Sequence, residues 1–152
     1  MPLLFVVDDH ADLGRMMARM LSSFGYQVQT FTHGTQVLEY LHGGSPLPDL
    51  FILDYMMPEM DGCELLSLIR ANPRAANIPA VFYTAVDDEQ IFMRMRRCGA
   101  DDYWIKSRVD IATIDSKVRH ILLARASGEG HALHLKSQQQ HAGNDQDQAK
   151  RI

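Results

Sequence analysis

The chain has 152 residues, 46% of them hydrophobic, enough for one ordinary domain with a single core plus a tail. Fifteen basic against nineteen acidic residues give a formal net charge of −4, which excludes a global attraction to nucleic acid or anionic lipid. No run approaches the roughly 18 apolar residues of a membrane span, and the N-terminal apolar run lacks a basic flank, so the sequence reads as a soluble, cytoplasmic protein without a secretory signal.

In chain order, residues 3–7 form a short apolar run that ends in Asp8 and Asp9. Leu13, Met16, Met17, Met20, Leu21 and Phe24 then recur at helical spacing, with the methionines as core gap-fillers and Gly25 at the helix stop. A second strand is expected over residues 26–30, and a helix marked by Val37, Leu38 and Leu41 runs up to "HGGSP". The third strand, residues 50–53, ends in Asp54, and Leu65, Leu66 and Ile69 mark a helix stopped by "NP". The fourth strand, residues 80–83, leads into Thr84, and a helix carrying Ile91, Met95 and Cys98 closes at Gly99. Its "FMRMRR" places Phe92 and Met93 off the core stripe among Arg94, Arg96 and Arg97, as a solvated or docking face. The fifth strand, residues 102–105, leads into Lys106, and Ile111, Ile114, Val118, Ile121 and Leu122 carry a last helix to about Arg125.

This repeated exchange of strand period for helix period argues for an α/β domain, a parallel sheet covered by helices. The domain is expected over residues 1–125. Residues 126–152, rich in Gly, Ser, Gln and charge and containing His131, His134 and His141, are expected to be a disordered tail or linker. Cys63 and Cys98 are too few and too far apart for a zinc motif or a disulfide framework, and are expected as buried thiols.

Ligands of an open parallel sheet sit beyond the carboxyl ends of its strands. Asp8, Asp9, Asp54, Thr84 and Lys106 all emerge on that edge. Three carboxylates converging there would raise one another's pKa values unless a divalent cation neutralised them, and oxygen-only ligands with room for water suit magnesium. Lys106 and Thr84 would add the cation and the hydroxyl donor that a transferable phosphoryl group needs.

The stretches "VVDDH", "ILDYMMPEMDG", "YTA" and "GADDYWIK" together resemble the receiver domain of two-component response regulators, over about residues 1–123. The resemblance implies a flavodoxin-like (βα)5 doubly wound sheet of order 2-1-3-4-5. It implies Asp54 as the phosphoacceptor, with a sensor histidine kinase or a histidine phosphotransfer protein as donor. Mg2+ would be held directly by Asp9, through water by Asp8, and by Asp54 and the backbone carbonyl of Met56. Thr84 resembles the switch hydroxyl, Ala85 leaves room for the phosphoryl group, Lys106 resembles its cation, and Tyr103 resembles the aromatic that turns inward with the threonine. Output would pass to a downstream protein through the face of the fourth helix, fifth strand and fifth helix, with a homodimer as one form. The module would be a switch and not an enzyme, without direct nucleic-acid or membrane binding.

The chain departs from the family at Ser107, where proline usually follows the lysine through a cis bond. A non-proline cis bond costs about 2.5 to 4 kcal/mol, so a trans bond is expected here. Met56 and Val86 occupy the two positions that tune phosphoryl loss; neither side chain orients a water, which implies a long-lived phosphoryl group. Two alternatives stand beside the switch. One is a docking scaffold that takes no phosphate, favoured by Ser107 alone. The other is a phosphatase of the haloacid dehalogenase type, which "VVDDHAD" opposes because it lacks a DxDxT pattern.

Overall fold

Five short strands, each followed by a helix, build the computed structural model, which describes residues 1–128. In order the elements are β1 (Leu3–Val7), α1 (Ala11–Ser23), β2 (Gln27–Phe31), α2 (Gly34–His42), β3 (Leu50–Leu53) and α3 (Gly62–Ala71). β4 (Ala80–Thr84), α4 (Glu89–Arg97), β5 (Asp102–Ile105) and α5 (Ile111–Ala126) complete the fold. The strands are all parallel in the order β2-β1-β3-β4-β5, as expected. Among the described residues no helix is long and apolar enough to cross a membrane. The expected tail falls outside the described residues from residue 129 onward, and with it His131, His134 and His141.

Side chains alternate across a strand, so each buried strand feeds two cores. Phe5, Val7, Phe51, Leu53 and Phe82 pack on one face with Val37, Leu41, Leu65, Leu66, Ile69 and Met95 of α2, α3 and α4. Leu4, Val6, Leu50, Ile52, Val81 and Trp104 pack on the other with Met17 and Leu21 of α1 and Ile114 and Val118 of α5. Helix starts are set by aspartates: Asp61, Asp88 and Asp110 each accept backbone N–H bonds from the first turn of α3, α4 and α5. Each such cap satisfies an N–H that the first turn leaves without an intrahelical partner.

The structure corrects five expectations. β2 begins one residue later than expected, because the Tyr26 N–H turns back to the Leu21 carbonyl and closes α1 while Phe31 joins the ladder opposite Val7. β4 extends through Thr84, which pairs with Ile105. Only Gly14, Met17 and Leu21 of α1 are buried, leaving Leu13, Met16 and Met20 exposed, since the helix packs on β2 along the narrow stripe that Gly14 allows.

Phe92 is buried and not solvated: α4 turns Phe92 and Met95 inward, and the Phe92 ring stacks on Tyr103 with centroids 4.5 Å apart. Met93 stays exposed. The two cysteines are not separate thiols: Cys63 and Cys98 form a disulfide, with Cα atoms 5.6 Å apart. Nothing in linear spacing reports that α3 starts where α4 ends.

α5 is pinned to the α1–β2 junction by a polar cluster. The Tyr26 hydroxyl donates to Asp115 at 2.8 Å, and Arg119 bonds both Asp115 and the Phe24 carbonyl. Burial, and then the bond to Asp115, pushes the Tyr26 phenol up from 10.0 to about 12. The folded state therefore holds this proton more tightly than the unfolded chain. The stabilisation is complete below about pH 10 and is lost as pH rises through 12. Titration followed by phenolate absorbance should show a late-ionising tyrosine that disappears in Tyr26→Phe and moves earlier in Asp115→Asn; an unchanged late phase in Tyr26→Phe would refute the assignment.

Candidate functional site

The sheet ladder continues one residue past three strands and thereby aims the polar groups. Asp8 N–H bonds the Phe31 carbonyl at 3.0 Å, Asp54 N–H the Val7 carbonyl at 2.8 Å, and Lys106 N–H the Thr84 carbonyl at 2.8 Å. The buried polar or charged side chains of the described residues are Asp8, Asp54 and Thr84, and all three lie at this edge. A fold that hides few polar groups and gathers them in one place has a use for them.

Ligand atoms of Asp8, Asp9, His10 and Asp54 lie within 4.8 Å of one another. Asp8 accepts from the His10 N–H at 2.9 Å and from Lys106 Nζ at 2.9 Å. Asp54 accepts from the Tyr55 N–H at 2.8 Å, and Lys106 Nζ stands 3.5 Å from its other oxygen. The Thr84 hydroxyl accepts from the Val86 N–H at 3.3 Å and favours the ionised form of Asp54. Asp9 differs: its Oδ1 is buried and makes no hydrogen bond, although His10 Nδ1 lies 3.3 Å away. A buried carboxylate oxygen without a donor, in a set of oxygen ligands, fits a hard divalent cation.

Burial raises the pKa of Asp54, and the charge of Asp8 adds to that; Lys106, the Thr84 hydroxyl and the Tyr55 N–H act in the opposite direction. Burial alone would lower the pKa of Lys106, but its bond to Asp8 and the charges of Asp54 and Asp8 outweigh burial and raise it. The ammonium also sits 5.5 Å from the Tyr83 ring centroid. No cis peptide occurs among the described residues, so Lys106–Ser107 is trans, as expected. The trans bond does not deflect Lys106 from the two carboxylates.

Met56 follows Asp54 in the β3–α3 loop with an exposed side chain, so its backbone is what it can offer a ligand. The Tyr103 ring stacks on Phe92. Sequence reading missed His10, whose signal was adjacency to the acid pair. It also missed Arg94, whose guanidinium donates to the Tyr55 hydroxyl at 2.5 Å and to Asp61 at 2.8 Å. That contact links α4 to the residue beside Asp54 across 39 positions, beyond any local pattern.

The response regulator receiver domain model matches residues 4–119. The phosphate regulon transcriptional regulatory protein PhoB of Rhizobium meliloti (strain 1021) is 34% identical over 106 residues, covering 70% of this chain and 46% of that protein. Hybrid signal transduction histidine kinase D of Dictyostelium discoideum is 32% identical over 102 residues, 67% of this chain and 6% of that protein. The chain thus spans less than half the length of either relative. Among solved structures, the signal receiver domain of a signal transduction histidine kinase from Syntrophus aciditrophicus superposes with a TM-score of 0.74 at 28% identity, covering 82% of this chain and 92% of that one.

Gly62 opens α3 directly beneath the site. A Cβ there would press on the Phe82 ring and on the Asp54 backbone carbonyl, a rigid neighbour on the strand that carries the acid. Gly62→Ala should therefore destabilise the fold by about 1–3 kcal/mol in a denaturant melt. An unchanged midpoint would show that the loop yields freely.

Proposed function

The chain belongs to the response regulator receiver family, and on that premise we propose that it is a phosphoaccepting switch whose acceptor is Asp54. The observation that carries this reading is the buried Asp54 carboxylate, hydrogen-bonded by the Tyr55 N–H and within reach of Lys106, beside an Asp9 oxygen that lacks a donor. Residues 1–125 are read as the receiver and 126–152 as a tail or linker.

Asp9 would hold Mg2+ directly, Asp8 through water, and Asp54 and the Met56 carbonyl would complete the protein's share. The bound ion supplies positive charge to the carboxylates and to the phosphoryl oxygens. An Asp54 oxygen attacks the phosphorus of a phosphohistidine on a sensor histidine kinase or a histidine phosphotransfer protein; the O–P bond forms, the N–P bond breaks, and the imidazole leaves. Lys106 leaves its bridge between Asp8 and Asp54 to hold a phosphoryl oxygen. Thr84 turns its hydroxyl to another, with small Ala85 giving clearance. Met56 and Val86 offer no group that orients water, so the acyl phosphate is long-lived.

The module's own chemistry ends there, which makes it a regulated binding domain and not an enzyme. Its readout would be a downstream protein on the α4–β5–α5 face, or a second copy in a homodimer, with Thr84 and Tyr103 as the coupled element. Nucleic acid is not contacted directly by the receiver, and the site of action is the cytoplasm, where the phosphodonor works. The docking-scaffold reading rested on Ser107, and the reach of Lys106 to Asp54 removes that support.

Exposure to Mg2+ and a small phosphodonor should yield a single phosphate adduct by mass spectrometry that is absent in Asp54→Asn. No adduct with any donor would overturn the switch and favour a scaffold. Asp9→Ala should abolish Mg2+-dependent phosphorylation more completely than Asp8→Ala, measured as adduct yield against Mg2+ concentration; equal losses would refute the division between direct and water-mediated ligation.

A further inference from the structure

We propose that Cys63 and Cys98 are a redox modification site, a reversible disulfide that clamps the end of α4 to the first turn of α3. Their Cα separation of 5.6 Å lies within the range a disulfide spans without backbone movement. Cys63 is the second residue of α3 and is buried, whereas Cys98 caps α4 and is partly exposed. The pair therefore has one entry point for a reagent and one resolving partner behind it. The reduced form is provided for as well. With the disulfide formed, Cys63 Sγ lies 3.6 Å from the Arg94 carbonyl and Cys98 Sγ 3.2 Å from the Met95 carbonyl, so a thiol released by reduction has an acceptor beside it.

A domain with two filled cores does not need a staple to fold, and such a bond in a domain of this kind is more useful as a reversible one. The oxidant is a low-molecular-weight disulfide such as oxidised glutathione. The Cys98 thiolate attacks one of its sulfurs, forming a mixed disulfide and releasing one glutathione thiolate. The Cys63 thiolate then attacks the Cys98 sulfur, forming the internal bond and releasing the second. Two protein thiols are oxidised, one glutathione disulfide is reduced to two glutathiones, and the two protein protons pass to them. Excess thiol runs the sequence backwards.

The bond lies on the path between the acidic site and α4. The same helix carries Arg94, bonded to Tyr55 beside Asp54, and Phe92, stacked on Tyr103. Closing the disulfide adds a covalent tie at the end of this segment and restrains α4 against the first turn of α3. The consequence for signalling rests on the switch reading above, whereas the thiol chemistry stands without it.

The test uses the whole 152-residue chain. Incubation with oxidised glutathione, acid quench, denaturation and alkylation should leave both cysteines unlabelled in a monomer, and peptide mapping should find residue 63 linked to residue 98. Cys63→Ser should stop at a glutathione adduct on Cys98, and Cys98→Ser should stay unreacted while folded. A stable mixed disulfide in the unaltered chain, an intermolecular dimer, or two thiols that remain free would each overturn the proposal. The oxidised chain should melt roughly 10 °C above the reduced one, as expected for closing a loop of 35 residues in sequence separation. Equal melting temperatures would overturn the clamp.

Hydrogen exchange of α4 on addition of Mg2+ and phosphodonor should respond in the reduced chain and be attenuated in the oxidised one, at equal phosphate adduct on Asp54. Equal responses would overturn the effect on output. Absence of the adduct in both forms would count against the switch reading and leave the thiol result intact.

Discussion

Asp8 and Asp54 bring two carboxylates into a space that water barely enters, and the ammonium group of Lys106 lies between them at 2.9 and 3.5 Å. Two like charges at that range repel strongly in a medium of low polarity, and burial already disfavours the ionised form of Asp54. The strand order makes the rescue possible. β5 lies two strands from β3, roughly 10 Å, a gap that needs a long side chain from the edge. Lys106 closes it while bonding its backbone to Thr84, so the position of the cation and that of the hydroxyl are set together.

The same packing joins the site to α4. Gly62 lets α3 start against the Asp54 carbonyl, which leaves Tyr55 buried with its hydroxyl facing Arg94. The ion pair between Arg94 and Asp61 is partly exposed, and such pairs contribute little by themselves. Its value is geometric, because Asp61 also caps α3 and cannot be displaced without fraying that helix. Phe92 on Tyr103 supplies the apolar part of the joint. Tyr103 and Tyr55 therefore report to one helix from two sides.

Strand ends were legible where burying a charge is costly: β1, β3 and β5 stop before Asp8, Asp54 and Lys106, whereas β4 runs on through Thr84, whose neutral hydroxyl a buried strand tolerates more readily. The family resemblance then ordered the strands, and the observed sheet agrees. Helix faces were less legible. α4 is short and rich in arginine, so spacing favoured Ile91, Met95 and Cys98; Ile91 and Cys98 pack against the core only in part, and the burial of Phe92 depended on a tyrosine from a neighbouring strand. In α1 the apolar residues outnumber the inward positions, and spacing alone cannot say which of five methionines and leucines will remain outside.

What the sequence determined by itself is the alternation of strand and helix and the identity of the polar groups at one sheet edge, because both follow from local periodicity and from the expense of burying charge. What only the tertiary structure decided is which distant groups meet: Lys106 with Asp8 across 98 positions, Arg94 with Tyr55, and Cys63 with Cys98. Those meetings depend on how helices dock on the sheet. Docking is set by the summed fit of many side chains, and no short stretch of sequence contains that sum.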